Sequence, residues 1–197
     1  AGTSVTGYEI LIRQVELILL SEGTPEAEAQ AAAEQQSQVL DLAIAQAWDE
    51  LEQLLVEISL EQIAALPEEQ QEALGDAQQV AQSLAAQQLP VFQSDWYQSF
   101  LVYDPAEDWS RITVPVLAIF GGRDVQVDAD QNRAALAAAT ARAGNLDVTI
   151  VSFPEANHLF LPAVSGSVSE YATLPMEFVP RLLPMLTDWI LARFGKQ

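Results

Sequence analysis

An aspartate and a histidine each follow a short apolar segment of this sequence, and together the two residue types can carry out acid–base chemistry. Asp124 follows the apolar run that ends at Phe120, and His158 follows the run that ends at Phe153. A carboxylate that contacts an imidazole orients the ring, selects its tautomer and stabilises the imidazolium that forms when the ring accepts a proton. The pair therefore has the composition of a general base with its orienting acid.

His158 is the only histidine in the 197 residues, and the sequence contains no cysteine. These two counts exclude a multi-histidine metal site, thiolate metal ligands, disulfides and a thiolate nucleophile. The sequence also has no glycine-rich phosphate loop and no cluster of metal ligands. It therefore implies no metal, nucleotide or redox cofactor.

The sequence is strongly acidic and half apolar. It has 28 Asp and Glu against 8 Lys and Arg, a formal net charge of −20, and 50% hydrophobic residues. The chain can therefore bury a core, while its surface repels phosphate backbones and anionic lipid headgroups. No apolar run reaches the roughly 18 residues of a membrane span. We therefore expect a soluble protein whose partners are neither nucleic acid nor membrane, and acidity itself is a common route to solubility.

The chain changes character near Asp104-Pro105, where a region rich in Ala, Gln, Glu and Leu gives way to β-branched runs. This change predicts a helical region over residues 1–103 and an α/β region over residues 104–197. The elements expected in the second region are a strand buried on both faces at Val114–Phe120, a helix at Asp128–Ala143 that ends at Gly144, a strand at Val148–Phe153 and a helix at Leu182–Phe194. This order predicts parallel strands joined by a right-handed crossover. Because parallel strands end at the same edge of a sheet, Asp124 and His158 are expected to meet there.

The first region is expected to consist of helices. They are predicted at Tyr8–Leu20, from Thr24 to about Leu66, from Pro67 toward Leu89 with a weak point at Gly75, and in a short aromatic segment capped by Ser94. Within the long second helix, apolar residues alternate steps of four and three, which is typical of helix-on-helix packing. This seam consists of Leu40, Ile44, Ala47, Leu51, Leu54 and Ile58.

Three stretches, Phe100–Pro105, Ile112–Asp124 and Asn157–Phe160, together resemble the C-terminal third of α/β-hydrolases of the serine-aminopeptidase and dienelactone-hydrolase type. The triad of that family runs in the order serine, acid, histidine, with the acid after the seventh strand and the histidine after the eighth. The resemblance implies that the aspartate at 124 is the catalytic acid and that His158 is the base. It also implies an α/β fold, here a helix-dominated fragment of the α/β-hydrolase fold in which residues 1–103 form the helical lid.

The sequence departs from that family in one large respect. The family's nucleophilic serine lies in a Gly-x-Ser-x-Gly elbow after the fifth strand, and no such motif occurs here. Ser4, Ser165 and Ser167 lie near glycines at the wrong spacing, so none is predicted to be the nucleophile. The oxyanion-hole loop is also missing. The opening Ala1-Gly2 resembles the pair after the sixth strand and lacks an initiator methionine, so we expect a shortened piece of a serine hydrolase that is inactive alone.

The parent of this piece is expected to hydrolyse an ester or amide of a small molecule or peptide through an acyl-enzyme. Two parallel strands taken from a larger sheet have unpaired edges, so self-association is expected as well. The alternative function is a non-catalytic helical interaction module, with the seam from Leu40 to Ile58 as its partner surface.

Several neighbouring residues have a structural interpretation beside a functional one. Asp128 is a rival for the acid, although its capping-box spacing favours a helix N-cap. Glu155 and Asn157 are interpreted as residues that shape the turn presenting the histidine. Glu170-Tyr171 recurs in the loop after the histidine of the resembling family, where a structural role is favoured. The aromatic residues that could line an acyl pocket, but for which a helix core is favoured, are Trp96, Tyr97, Phe100 and Tyr103.

Overall fold

A computed structural model of the protein describes residues 3–195, so the predicted pair Ala1-Gly2 lies outside the described residues. Helices dominate this part of the chain, and a two-stranded parallel sheet accompanies them. The elements are α1 (Gly7–Ser21), α2 (Glu26–Ile44), α3 (Trp48–Ala64), α4 (Glu68–Leu74), α5 (Ala77–Gln93), α6 (Asp95–Val102), α7 (Pro105–Trp109), β1 (Val116–Gly121), α8 (Ala129–Arg142), β2 (Val148–Phe153), a 3₁₀ turn (Val168–Ala172) and α9 (Leu182–Phe194). Among these helices, none is both long and apolar enough to cross a bilayer.

The two strands run parallel, in register from Val116 opposite Val148 to Gly121 opposite Phe153. The predicted pairing is confirmed, and both carboxyl ends lie at one edge of the sheet. The prediction that β1 is buried on both faces is wrong, because Leu117, Ala118 and Ile119 are only partly buried. Residues of α9 pack against Ile119 and Phe153 on one face, but the described part of the chain places no third strand beside β1 or β2.

The described residues form two compact units. One comprises residues 3–5, 13–30 and 104–195, and the other comprises residues 6–12 and 31–103. We refer to them as the α/β unit and the helical unit. Residues 13–30 group with the α/β unit, and the two predicted regions, 1–103 and 104–197, stay a prediction. A lid function for residues 1–103 stays a prediction.

The single long helix predicted from Thr24 to Leu66 is wrong, because the chain turns between α2 and α3. Gln46 lies in the left-handed region with φ 55°. The Ala47 N–H donates to the Leu42 carbonyl at 3.0 Å, and the Gln46 N–H donates to the Ala43 carbonyl at 3.1 Å. These two bonds are those of a Schellman helix end. A later break is the one expected at Gly75 (φ 78°), after which Asp76 caps α5.

The helical unit buries part of the predicted seam. Leu40 and Leu51 are 0% exposed and belong to one core cluster with Leu101. On α3 the buried positions recur every four residues, at Leu51, Leu55, Ser59 and Ile63. Ile44 and Ala47 do not continue this stripe, since Ile44 is exposed and Ala47 lies in the turn. The buried part of the seam is therefore a core contact between helices of the same chain.

The aromatic residues near α6 divide into two groups. Tyr97 and Phe100 pack against the helical core, as predicted. Trp96 is 70% exposed and Tyr103 is 55% exposed, so the predicted helix-core role does not hold for these two side chains. Ser94 caps α6 as expected, since its hydroxyl accepts a hydrogen bond from the Tyr97 N–H at 3.3 Å.

Candidate functional site

The side chains of Asp124 and His158 meet at the carboxyl ends of β1 and β2. Nδ1 of His158 lies 3.0 Å from Oδ2 of Asp124. Both side chains are largely shielded, with 28% of His158 and 11% of Asp124 exposed. The contact predicted from two parallel strand ends is therefore present.

The carboxylate of Asp124 is held by its own turn. Its Oδ1 accepts hydrogen bonds from the backbone N–H groups of Gln126 and Val127, each at 2.9 Å. With Oδ1 fixed in this way, Oδ2 is left to face the imidazole. Two backbone donors on one oxygen orient the carboxylate without using the oxygen that contacts His158.

The Gly121-Gly122 pair allows two segments to lie directly on each other. One is the turn after β1 that carries Asp124 (the acid turn), and the other is the loop after β2 that carries His158 (the histidine loop). A Cβ atom on Gly121 would lie 2.5 Å from the carbonyl oxygen of Ala156, and one on Gly122 would lie 2.7 Å from Cα of Pro154. The N–H of Gly122 donates to the Phe153 carbonyl at 2.8 Å, which extends the strand pairing into the turn. The glycines are needed here for the close approach of two backbones.

Asn157 shapes the loop that carries His158. Its side chain is completely buried, and its Oδ1 accepts from the N–H groups of Leu159 at 2.9 Å and Leu161 at 3.0 Å. Phe160, inside this loop, has φ 58°. The interpretation of Asn157 as a turn-shaping residue is confirmed. Glu155 contributes through its backbone, whose carbonyl accepts from the Ala163 N–H at 2.8 Å.

The rival acid and the weighed serines have other partners. Asp128 caps α8 by accepting from the Asp130 N–H at 2.8 Å, and its second oxygen contacts Nε of Arg13 at 2.6 Å. The N-cap prediction is confirmed. The hydroxyl of Ser165 donates to Glu170 at 2.7 Å and that of Ser167 donates to Glu22 at 3.2 Å.

The third weighed serine, Ser4, is held through its backbone and buried with it. Its N–H donates to Oδ1 of the buried Asn132 at 2.8 Å, and 2% of the residue is exposed. Like Ser165 and Ser167, it makes no hydrogen bond to His158 in the described structure. None of the three therefore has the geometry of a nucleophile paired with its base.

A comparison with known families bears on the α/β unit. Residues 78–175 match the dienelactone hydrolase family. This range contains β1, the acid turn, α8, β2 and the histidine loop. The match supports an α/β-hydrolase-like family. Among curated proteins and among solved structures, none matches the chain.

An open cavity lies beside Asp124. Its volume is about 580 Å³, and its walls include Arg13, Arg123, Asp124, Asp128 and Ser152. Open parallel sheets bind their ligands at this edge, beyond the carboxyl ends of the strands. Asp124 forms part of the cavity wall, whereas His158 does not line it.

The hydrogen bond to Asp124 raises the pKa of His158 above its ordinary value of 6.5. Burial opposes this effect, and the negative charge of the same carboxylate adds to it. When the neutral ring carries its proton on Nδ1 and donates it to Asp124, the free lone pair lies on Nε2. Among the described residues, none hydrogen-bonds Nε2.

Replacing Asp124 with asparagine is expected to lower the pKa of His158 toward its ordinary value, because both favourable effects come from the carboxylate. Histidine C2 proton shifts followed by NMR across a pH series would measure this, and the signal needs no assignment because the sequence has one histidine. Asp130→Asn on α8 is the matched control, since the Asp130 side chain is 91% exposed. An unchanged His158 pKa in Asp124→Asn would contradict the contact.

The same pair makes stability depend on pH in a defined direction. Because the pKa of His158 is higher in the folded state, its contribution is fully present below pH 6.5 and is lost as pH rises through the folded value. The Asp124→Asn variant is expected to lack this part of the pH dependence in urea unfolding.

Proposed function

We propose that this chain supplies the acid and the base of a Ser-Asp-His triad that hydrolyses esters or amides through an acyl-enzyme. The observation that carries the proposal is the 3.0 Å contact between Nδ1 of His158 and Oδ2 of Asp124, which leaves Nε2 for a nucleophile. The dienelactone hydrolase family match, which supports a hydrolase-like function in general, covers both residues.

The proposed steps follow from this geometry. Nε2 of His158 takes the proton from a serine hydroxyl as the serine oxygen attacks the substrate carbonyl. Asp124 holds the ring through Nδ1 and stabilises the imidazolium that forms. The imidazolium then gives its proton to the leaving alkoxide or amine. In the second half, Nε2 takes a proton from water as the water oxygen attacks the acyl-enzyme, and the imidazolium then returns this proton to the serine oxygen as the acid product leaves.

The nucleophile of the proposed reaction lies outside these 197 residues. They contain no Gly-x-Ser-x-Gly motif, and the three serines that lie near glycines are engaged elsewhere. The oxyanion donors belong with the nucleophile, because the backbone N–H that follows the serine is one of them in this family. The chain alone is therefore expected to bind substrate weakly and to hydrolyse none.

A fluorophosphonate probe tests this assignment, because it labels only serines activated by a base. The 197-residue chain is expected to remain unlabelled at all its serines. Mass spectrometry of its peptides would measure this. A polypeptide that also includes the gene region upstream of Ala1 is expected to be labelled at a serine in a Gly-x-Ser-x-Gly motif, and His158→Ala should prevent this labelling. Labelling of any serine in the 197-residue chain, or an upstream region without such a motif, would refute the proposal.

The alternative is a helical interaction module that binds through the seam from Leu40 to Ile58, but the centre of this seam is buried. Leu40 and Leu51 are 0% exposed and form the core of the helical unit. A partner cannot contact these side chains without unfolding the unit. The part of the seam formed by Leu40 and Leu51 is therefore not available on the folded chain, whereas Ile44 remains exposed.

A further inference from the structure

The carboxylate of Glu170 organises the loop that follows His158. Its oxygens accept four hydrogen bonds, from the N–H of Val164 at 3.2 Å, the N–H and hydroxyl of Ser165 at 2.7 Å each, and the N–H of Gly166 at 3.3 Å. These bonds lower the pKa of Glu170, the bond from the Ser165 hydroxyl most strongly. Three successive backbone donors on one carboxylate fix the path of the main chain at this point.

The loop fixed by Glu170 lies against the turn that carries the acid. Gly166 has φ 83°, in the region that favours glycine, and a Cβ atom there would overlap the carbonyl oxygen of Arg123. Arg123 directly precedes Asp124. The two backbones are therefore in contact beside the catalytic carboxylate, and only glycine allows this approach.

Tyr171 contacts the same turn from the next position along the chain. Its hydroxyl oxygen accepts a hydrogen bond from Nε2 of Gln126 at 2.7 Å. The backbone N–H of Gln126 in turn donates to Oδ1 of Asp124 at 2.9 Å. Burial raises the pKa of Tyr171, so its hydroxyl stays neutral and can serve as this acceptor at physiological pH. Tyr171 thus reaches Asp124 through one intermediate residue.

We propose that Glu170 and Tyr171 are positioning residues of the Asp124–His158 pair, which we call the dyad. In this proposal residues 164–171 form a brace, a segment that holds the acid turn in place. Glu170 fixes the backbone of the brace, and Gly166 allows the brace to contact the backbone of Arg123. Tyr171 holds Gln126 by accepting a hydrogen bond from its side chain. Together they keep Oδ2 of Asp124 at hydrogen-bonding distance from His158. This inference rests on the proposed function of the dyad and assigns the residues that keep its geometry without touching the reacting atoms.

The histidine titration of the folded chain tests the brace directly. Tyr171→Phe and Glu170→Gln are each expected to shift the His158 pKa part of the way toward the value found in Asp124→Asn. The matched control is Glu177→Gln, which changes the same group at an exposed position and should leave the His158 titration unchanged. Circular dichroism would report whether each variant is folded at the titration temperature. Since Phe keeps the ring of Tyr171, that variant decides the outcome if Glu170→Gln does not fold.

A double-mutant cycle separates the proposed hydrogen bond from a general loosening of the loop. If Tyr171 acts through Gln126, then adding Gln126→Met to Tyr171→Phe should shift the His158 pKa no further than Tyr171→Phe alone. Additive shifts would overturn the proposed coupling. An unchanged His158 pKa in both Tyr171→Phe and Glu170→Gln, with a lowered value in Asp124→Asn, would overturn the brace alone. An unchanged value in Asp124→Asn would overturn the dyad and the brace together.

Discussion

Replacing Leu51 with alanine lowers the free energy of unfolding of the helical unit by about 3 kcal/mol, the scale expected for truncating a completely buried leucine. Leu51 is 0% exposed and contacts a cluster of apolar side chains drawn from four helices of this unit. The substitution removes apolar contacts and leaves a cavity that these neighbours fill only in part. Urea unfolding followed by far-ultraviolet circular dichroism would measure the loss.

Leu84→Ala is the matched control for Leu51→Ala, because Leu84 lies on α5 of the same unit and is 39% exposed. Its expected cost is under about 1 kcal/mol, since a partly exposed leucine buries less apolar surface and leaves no closed cavity. Equal costs at the two positions would contradict the core described here. Leu51→Glu is expected to unfold the helical unit, so a folded Leu51→Glu chain that had lost only a partner would favour the interaction-module alternative.

The break between α2 and α3 shows where sequence reasoning about helices failed. Helices α1 and α8 end in Schellman motifs with glycine in the left-handed position, at Gly23 and Gly144, and the end of α8 was predicted from Gly144. Helix α2 ends in the same motif, but Gln46 takes the glycine's place. A left-handed glutamine is disfavoured locally, so tertiary packing must stabilise it. The residues near Gln46 include no glycine or proline that would predict the turn between α2 and α3.

The strands and the dyad were predictable because their signals are local. β2 and α9 have the predicted bounds. β2 consists largely of β-branched residues, and α9 has apolar residues at helical spacing. Once two parallel strands are expected, the geometry of the sheet brings the turns that follow them to one edge. The contact between Asp124 and His158 can therefore be predicted from the two strands alone.

The brace was not predictable in the same way. Gln126 and Tyr171 are 45 positions apart, and their contact is a single side-chain hydrogen bond. The periodicity of apolar residues indicates which face of a helix or strand is buried. It does not indicate which polar side chains of two different loops form a hydrogen bond. The spacing of Glu170 to Ser165 and Gly166 is local, yet many loop glutamates are merely solvated. The resemblance implies a structural role for Glu170-Tyr171, and the hydrogen bonds to Gln126 and Ser165 are the basis of the role proposed for them.

The two roles of the dyad should separate in kinetics measured on a polypeptide that carries both this chain and the nucleophilic serine. His158→Ala is expected to lower kcat by on the order of 10⁶-fold, because the serine then has no base and the leaving group has no acid. Asp124→Ala should lower kcat by on the order of 10⁴-fold, since His158 remains but is no longer oriented. Initial rates on an activated ester would measure both.

The same kinetics also decide between Asp124 and its rival. Asp128→Asn keeps an N-cap side chain on α8 and should leave kcat within a few-fold of the original, because Asp128 pairs with Arg13 and not with His158. In addition, kcat/KM should rise with pH through the raised pKa of His158, because only the neutral imidazole accepts the serine proton. A loss in Asp128→Asn as large as that in Asp124→Ala would move the acid to Asp128. Full activity in His158→Ala would remove the base from the mechanism.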